Sequence, residues 1–162
     1  MQIDISTFLN GSVGGFIGCL ILKLLLDFNL GQWFIKYFWW IPVRNYIRAK
    51  PLQLSGLWDQ QWQAESTSFS AEIDRHSNVV LKQIGTHCYG EFTSKRVKYC
   101  IFGRIESGFF IGNWYDAADE LGYFGMFELR IIDTRNLAGR WMGHSKKSNE
   151  VKHGEWDWEK VE

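Results

Sequence analysis

Residues 153–160 read HGEWDWEK, and residues 54–64 read LSGLWDQQWQA. Successive side chains of a β-strand point to opposite faces of the sheet. In each of these two stretches, one face carries the Trp side chains and the other is mostly polar. A strand of this kind is typical of a sheet that packs on a core with one face and meets water with the other.

Similar short alternating runs, separated by Gly, Asn, Asp and Ser, fill the chain beyond residue 51. They predict strands at residues 54–64, 77–84, 87–94, 96–106, 108–116, 121–132, 136–144 and 150–160. Eight antiparallel strands can close into a barrel, and closure removes exposed strand edges. We therefore predict an all-β fold at residues 51–162, a small, minimal, lipocalin-like barrel of eight antiparallel strands. The interior of such a barrel holds side chains or one small ligand.

The chain before this domain is apolar. From Phe8 to Leu26, Lys23 is the only charged residue, and a helix over this run would be about 28 Å long, close to the thickness of the bilayer core. A second run, LGQWFIKYFWWIPV at residues 30–43, is rich in aromatic residues. We predict a membrane segment at residues 1–50, a transmembrane helical hairpin with helices at about 8–26 and 30–47. For the second run, an interfacial helix is the alternative.

Arg44, Arg48 and Lys50 directly follow the second run. Because Lys and Arg near a membrane end mark its cytoplasmic side, we expect the barrel to face the cytoplasm.

Four glycines of the first run stand four residues apart in two pairs, Gly11 with Gly15 and Gly14 with Gly18. Small residues at this spacing let helix backbones approach closely. They predict self-association in the membrane, and hence a homo-oligomer. Packing against the chain's own second helix is the equal alternative.

The composition excludes several functions. The chain has 18 basic and 18 acidic residues, so it lacks the basic surplus that binding to a DNA or RNA polymer needs. Its four His and three Cys residues fall in no metal-ligand spacing, and no nucleophile elbow or phosphate-binding loop occurs. We therefore expect no enzymatic activity, no catalytic residue, no metal and no cofactor.

Six residues of the predicted barrel are candidates for ligand binding. Three arginines interrupt apolar strands, and each needs either a carboxylate such as Glu106 or Glu128 or an anionic ligand such as phosphate. The triplet Gly-x-Trp recurs four times, and its rings either pack in the barrel or stack on bases. The predicted ligand-binding residues are Arg104, Arg130, Arg140, Trp58, Trp114 and Trp141.

The order of these parts resembles a known family. Two N-terminal apolar runs, the basic juncture RNYIRAKP, and a barrel that opens LSGLWDQQW and closes HGEWDWEKV are similar to the two-transmembrane β-barrel effectors of bacterial cyclic-oligonucleotide antiphage systems (CBASS and related). The resemblance covers nearly the whole chain, and it carries over no individual ligand-contacting residue.

The resemblance implies a location and a function. The chain would lie in the bacterial inner membrane, and its barrel would bind a cyclic dinucleotide made by a partner nucleotidyltransferase. The ligand would control oligomerisation of the transmembrane helices and disruption of the lipid bilayer, either by activating the effector or by restraining it. The alternatives are a membrane-anchored, lipocalin-like carrier of a lipid or small hydrophobic ligand, and a structural subunit of a membrane complex.

Overall fold

The computed structural model describes residues 17–19, 30–41, 52–63, 75–119, 122–145 and 150–161. One α-helix of more than a single turn lies in these ranges, α1 (Leu30–Phe38). The strands are β1 (Gly56–Trp62), β2 (His76–Ile84), β3 (His87–Ser94), β4 (Val97–Glu106), β5 (Phe109–Asp116), β6 (Tyr123–Ile131), β7 (Asn136–Ser145) and β8 (Val151–Lys160).

The eight strands form a closed barrel. Each strand is antiparallel to the next in the chain, and β8 pairs with β1 to complete the circle, with Trp62 opposite Trp156. The prediction of an all-β, eight-stranded antiparallel barrel is confirmed, and every strand boundary lies within two residues of the predicted one. The lipocalin-like character of the barrel stays a prediction.

The barrel interior is packed with large apolar side chains. The largest fully buried ones are Trp58, Trp158 and Phe110, and the Trp158 ring contacts the other two with centroids about 6 Å apart. Because these side chains alternate with outward-facing ones along every strand, a single aromatic core runs through the barrel.

The two ends of the barrel differ. At the lower end, where β2 turns into β3 and β4 into β5, Leu54 is buried and closes the interior. Its backbone N–H donates to Gln83 Oε1 at 2.7 Å, and its carbonyl accepts from Trp58 Nε1 at 2.7 Å. The upper end, where β3 turns into β4 and β5 into β6, carries partly buried aromatic side chains instead.

The predicted transmembrane hairpin is not seen. The second helix, predicted for residues 30–47, is α1 at Leu30–Phe38, and the backbone leaves the helix at Trp39–Ile41. Pro42 comes next in the sequence and disfavours helical backbone at the residue before it. Of the first predicted helix, only residues 17–19 are described, and they are helical. Across the described ranges, no helix has the length and hydropathy needed to span a bilayer.

The chain divides into two compact units, Met1–Phe34 and Ile35–Glu162. The second unit contains the barrel together with the last residues of α1. The predicted division at residues 50 and 51 stays a prediction.

Candidate functional site

Five aromatic rings form a collar inside the upper end of the barrel. They are Trp62 on β1, Phe92 on β3, Tyr99 on β4, Trp114 on β5 and Trp141 on β7. Neighbouring centroids in this order lie 5.9, 5.2, 6.0 and 6.0 Å apart. Trp141 Nε1 donates to the carbonyl of Gln63, which directly follows Trp62, at 3.0 Å. The aromatic collar is therefore a complete circuit of the barrel wall.

Two facing glycines make room for the Trp114 ring. Gly125 on β6 and Gly143 on β7 pair directly in the sheet, and Trp114 pairs with Gly125. A β-carbon on Gly143 would clash with the Trp114 ring, and one on Gly125 would lie 2.8 Å from it. The Trp114 ring lies directly against the backbone of these two glycines, so any residue with a side chain there would displace the ring.

Several polar atoms in the interior lack hydrogen-bond partners. Among the described residues, the indole Nε1 atoms of Trp114, Trp156 and Trp158 are buried without an acceptor, and Gln60 Oε1 is buried without a donor. Trp156 lies next to the collar, with its ring centroid 6.3 Å from that of Phe92. An unpaired buried donor costs about 1–3 kcal/mol. Water or a ligand that reached these indole groups would offset this cost by supplying hydrogen-bond acceptors.

Tyr99 adds a further donor to the collar. Burial raises the pKa of Tyr99 to about 12, and the nearby Asp116 carboxylate and Tyr123 contribute to this rise. The phenol is therefore protonated near pH 7 and is able to donate a hydrogen bond.

Lys152 supplies a cation beside the collar. On β8 it alternates with exposed Val151 and His153, so it shares the inner face with Gly154 and Trp156. It pairs across the sheet with Gly143, on which the Trp114 ring lies. Lys152 is half-buried and makes no ion pair with any residue in the described ranges.

The predicted ligand-binding tryptophans lie inside the barrel, but not together. Trp114 and Trp141 contact each other in the aromatic collar. Trp58 lies at the lower end, where its Nε1 donates to Leu54 and the Lys160 ammonium is 5.5 Å from its ring centroid. Trp58 is fully buried in the packing of the closed end, so it does not belong to the collar.

The predicted ligand-binding arginines lie on the other side of the wall. Arg104, Arg130 and Arg140 are all exposed on the outer face. Arg104 pairs with Glu106 at 2.6 Å, which is the carboxylate partner that the sequence offered. The barrel wall separates these arginines from the inward-facing tryptophans, so the six predicted residues do not lie together.

The predicted glycine stripe is described at one position. Gly18 lies in the helical residues 17–19, is exposed, and has nothing within 4 Å of the place where a β-carbon would be. Gly11, Gly14 and Gly15 lie outside the described residues.

Sequence reasoning missed five members of this region, Trp62, Phe92, Tyr99, Lys152 and Trp156. The signal for Lys152 was its position two residues before Gly154, on the face that carries Trp156 and Trp158. No signal in the sequence distinguishes Tyr99, since the collar depends on five strands meeting in space.

A second feature of the same unit lies outside the barrel, where the end of α1 contacts the outer wall. Ile35 is 4% exposed and packs in a cluster with Tyr89 of β3 and Cys100 of β4, flanked by Ile84, Phe102 and Tyr115. We call these residues, together with Lys36 and Glu91, the helix seat. Glu91 and Tyr89 alternate with inward-facing residues of β3, and Glu91 directly precedes Phe92 of the collar.

Charged hydrogen bonds hold the helix seat together. Glu91 Oε1 accepts from Lys36 Nζ and from the Tyr89 hydroxyl, each at 2.6 Å, and Glu91 Oε2 pairs with Lys98 Nζ at 2.6 Å. Lys82 Nζ donates to the backbone carbonyl of Lys36 at 3.0 Å. A cation near the last carbonyls of a helix stabilises its C-terminus.

The described residues contain no group of three or more His, Cys, Asp or Glu side chains placed to hold a metal ion.

No family model matches this sequence, and no curated protein matches it. The role of each residue therefore rests on its own geometry and chemistry.

Proposed function

We propose that the barrel is a sensor that binds a cyclic dinucleotide at the aromatic collar. The observation that carries this proposal is the unpaired indole N–H of Trp114 within a circuit of aromatic rings, together with a second unpaired indole N–H on Trp156, whose ring centroid lies 6.3 Å from that of Phe92 in the collar. Aromatic rings stack on nucleobases, and buried donors bind the ring nitrogens, carbonyls and phosphate oxygens that nucleotides present.

Lys152 supports the same ligand class. A phosphodiester carries a negative charge, and the half-buried ammonium of Lys152 has no carboxylate partner in the described residues. Charge-assisted hydrogen bonds to phosphate are about twice as strong as neutral ones. In this proposal, Lys152 takes over the role that the sequence suggested for Arg104, Arg130 and Arg140.

An acyl chain fits the collar less well. It would pack on the rings, but it offers no acceptor along its length to the indole groups of Trp114 and Trp156, so their desolvation would stay uncompensated. The carrier alternative is therefore the second outcome of the test and not the favoured one.

For the whole chain, we propose a membrane-anchored antiphage effector whose barrel controls oligomerisation of the N-terminal segment and inner-membrane disruption. Its support is the resemblance of the sequence and the helix seat, which fixes the end of α1 to the strands that carry Phe92 and Tyr99. A ligand that binds one arrangement of these strands better than another would shift the seat as well.

The test is binding to the full chain in detergent micelles. Isothermal titration calorimetry and thermal shift are run against a panel of cyclic dinucleotides, with linear dinucleotides and a long-chain fatty acid as competitors. We expect a raised melting temperature with at least one cyclic dinucleotide and none with the fatty acid. Binding of the fatty acid alone would replace the sensor by the carrier.

Trp114→Phe separates the hydrogen bond from the stacking. The substitution keeps an aromatic ring but removes the N–H, and a neutral hydrogen bond contributes about 1 kcal/mol, so the affinity for the cyclic dinucleotide should fall about fivefold. The melting temperature of the free protein should change little, because the loss of ring volume is offset by removal of an unpaired donor. Trp39→Phe, at an exposed position outside the barrel, is the matched control. Unchanged affinity in Trp114→Phe would place the ligand elsewhere.

A further inference from the structure

The outer wall of β6 and β7 exposes large apolar side chains. Phe124 is 41% exposed, Met126 is 51% exposed and Met142 is 46% exposed. Ile111 on β5 and Val151 on β8 extend the same face on either side, and both are exposed. Contiguous exposed apolar side chains of this size mark an interaction surface, and Met adapts well to a partner.

The register between β6 and β7 places complementary side chains next to each other. Phe124 pairs with His144, Met126 with Met142, and Glu128 with Arg140. All of these positions alternate with buried ones and face outward. The three pairs form three successive steps along one line between the two strands, and we call them the β6–β7 ladder.

We propose that a second copy of this chain covers the β6–β7 ladder, with a two-fold axis that runs along the strands between β6 and β7. Such an axis exchanges the two strands between the copies. It therefore places Met126 of one copy against Met142 of the other and, in the same operation, Glu128 against Arg140 and Phe124 against His144.

Charge selects a second copy as the occupant. Arg140 lies between Glu128 on β6 and Glu155 on β8, yet it makes no ion pair with any residue in the described ranges. A two-fold partner brings an oppositely charged side chain to both Arg140 and Glu128 at once. An apolar partner or an acyl chain would cover the methionines but bring no opposite charge of its own to Arg140 or Glu128.

The curvature of the barrel sets the strength of this contact. Sheets that pack face to face lie about 10 Å apart, which lets outward side chains of the ladder meet. Because the wall is convex, few side chains beyond the ladder take part, so the contact is small and weak in dilute solution. Anchoring to a common surface would raise its effective concentration.

Site-directed cross-linking tests the contact in the full chain. Two differently tagged copies are co-expressed in a Cys19→Ser background, which leaves the buried Cys88 and Cys100 as the native thiols. One copy carries Met126→Cys and the other carries Met142→Cys, and the membranes are treated with a short bismaleimide, since a disulfide needs shorter Cα distances than this packing allows. We expect a band that carries both tags.

Three further combinations of variants decide the result. Val80→Cys with Met142→Cys is the matched control, because Val80 is 55% exposed on the opposite wall, and it should give no such band. Arg140→Glu in both copies should weaken the Met126–Met142 band at least fivefold, and Arg140→Glu combined with Glu128→Arg should restore it. An equal band from Val80→Cys, or a charge swap that fails to restore the band, would overturn the two-fold arrangement.

Discussion

Replacing Lys152 with methionine is expected to lower the affinity of the full chain for its cyclic dinucleotide by roughly tenfold to a hundredfold. The ammonium is half-buried beside the collar without a partner in the described residues, and a hydrogen bond to a charged group contributes about 1.5–3 kcal/mol. Isothermal titration calorimetry in micelles measures the change. The melting temperature of the free protein should stay near that of the wild type, because methionine keeps the length of the aliphatic side chain.

Arg104→Met is the matched control for this substitution. It removes a cation of similar size from the outer face of β4, where the guanidinium is paired with Glu106. Its effect on affinity should be within error, since exposed ion pairs contribute about 0–1 kcal/mol to stability and this one lies on the far side of the wall. If Arg104→Met weakened binding and Lys152→Met did not, the ligand would lie on the outer surface and the collar would have a purely structural role.

The strands could be predicted because alternation is a local property. The first strand was predicted to begin at residue 54, whereas β1 begins at Gly56. The difference arises at Leu54, whose backbone N–H bonds to the side chain of Gln83 on β2 and not to the backbone of that strand. Such a side-chain bond depends on two residues far apart in the sequence, and no periodicity indicates it.

The position of the arginines could not be predicted, because both faces of these strands are partly apolar. Counting alternate residues along the strands correctly placed Arg130 on the same face as Met126, and Arg140 on the same face as Met142. It gave no reason to expect that the methionines lie on the outer face of the barrel. The structure shows that the inner face is marked by glycines with large rings beside them, as at Gly143 and Trp114. The inference that Arg130 and Arg140 face the interior was wrong because the methionines beside them on the β6–β7 ladder are apolar and nevertheless exposed.

The C-terminal end of α1 was predicted wrongly for a different reason. From hydropathy alone, the second helix was predicted to continue through the Trp-rich run to residue 47, yet α1 ends at Phe38. The Ile41 N–H bonds to the Phe38 carbonyl in a three-residue step, which is a turn and not a continuing helix. Pro42 was the available signal, and its restriction on the preceding residue explains the boundary.

The helix seat has a pH dependence set by Glu91. Burial raises the pKa of Glu91, but hydrogen bonds from Lys36, Lys98 and Tyr89 outweigh it and lower the pKa from 4.5 to about 2. Because the pKa is lower in the folded state, the ionised carboxylate stabilises the seat fully above pH 4.5. This stabilisation is lost as the pH falls from 4.5 towards 2, so the seat should be insensitive to pH across the physiological range.

Glu91→Gln is expected to loosen the end of α1. The amide cannot form ion pairs with Lys36 and Lys98, so the seat loses the charge-assisted part of both contacts. Amide hydrogen exchange of residues 35–38 in the full chain should become roughly tenfold faster at pH 7, which corresponds to about 1.4 kcal/mol of local opening. Exchange in the core strands should not change. Glu106→Gln removes one exposed ion pair on the same wall and is the matched control.

The effect of ligand on this exchange tests whether the seat reports on the collar. Phe92 and Tyr99 stack inside the barrel at 5.2 Å, and their chain neighbours Glu91 and Cys100 hold the helix end outside. A ligand that moves the two rings must move the same two strands, so it should change the exchange of residues 35–38 in the wild type. In Glu91→Gln that response should shrink while the affinity at the collar stays within about threefold. Ligand binding that leaves the exchange of residues 35–38 unaltered in the wild type would show that the seat is a fixed support, and that any signal leaves the barrel by another route.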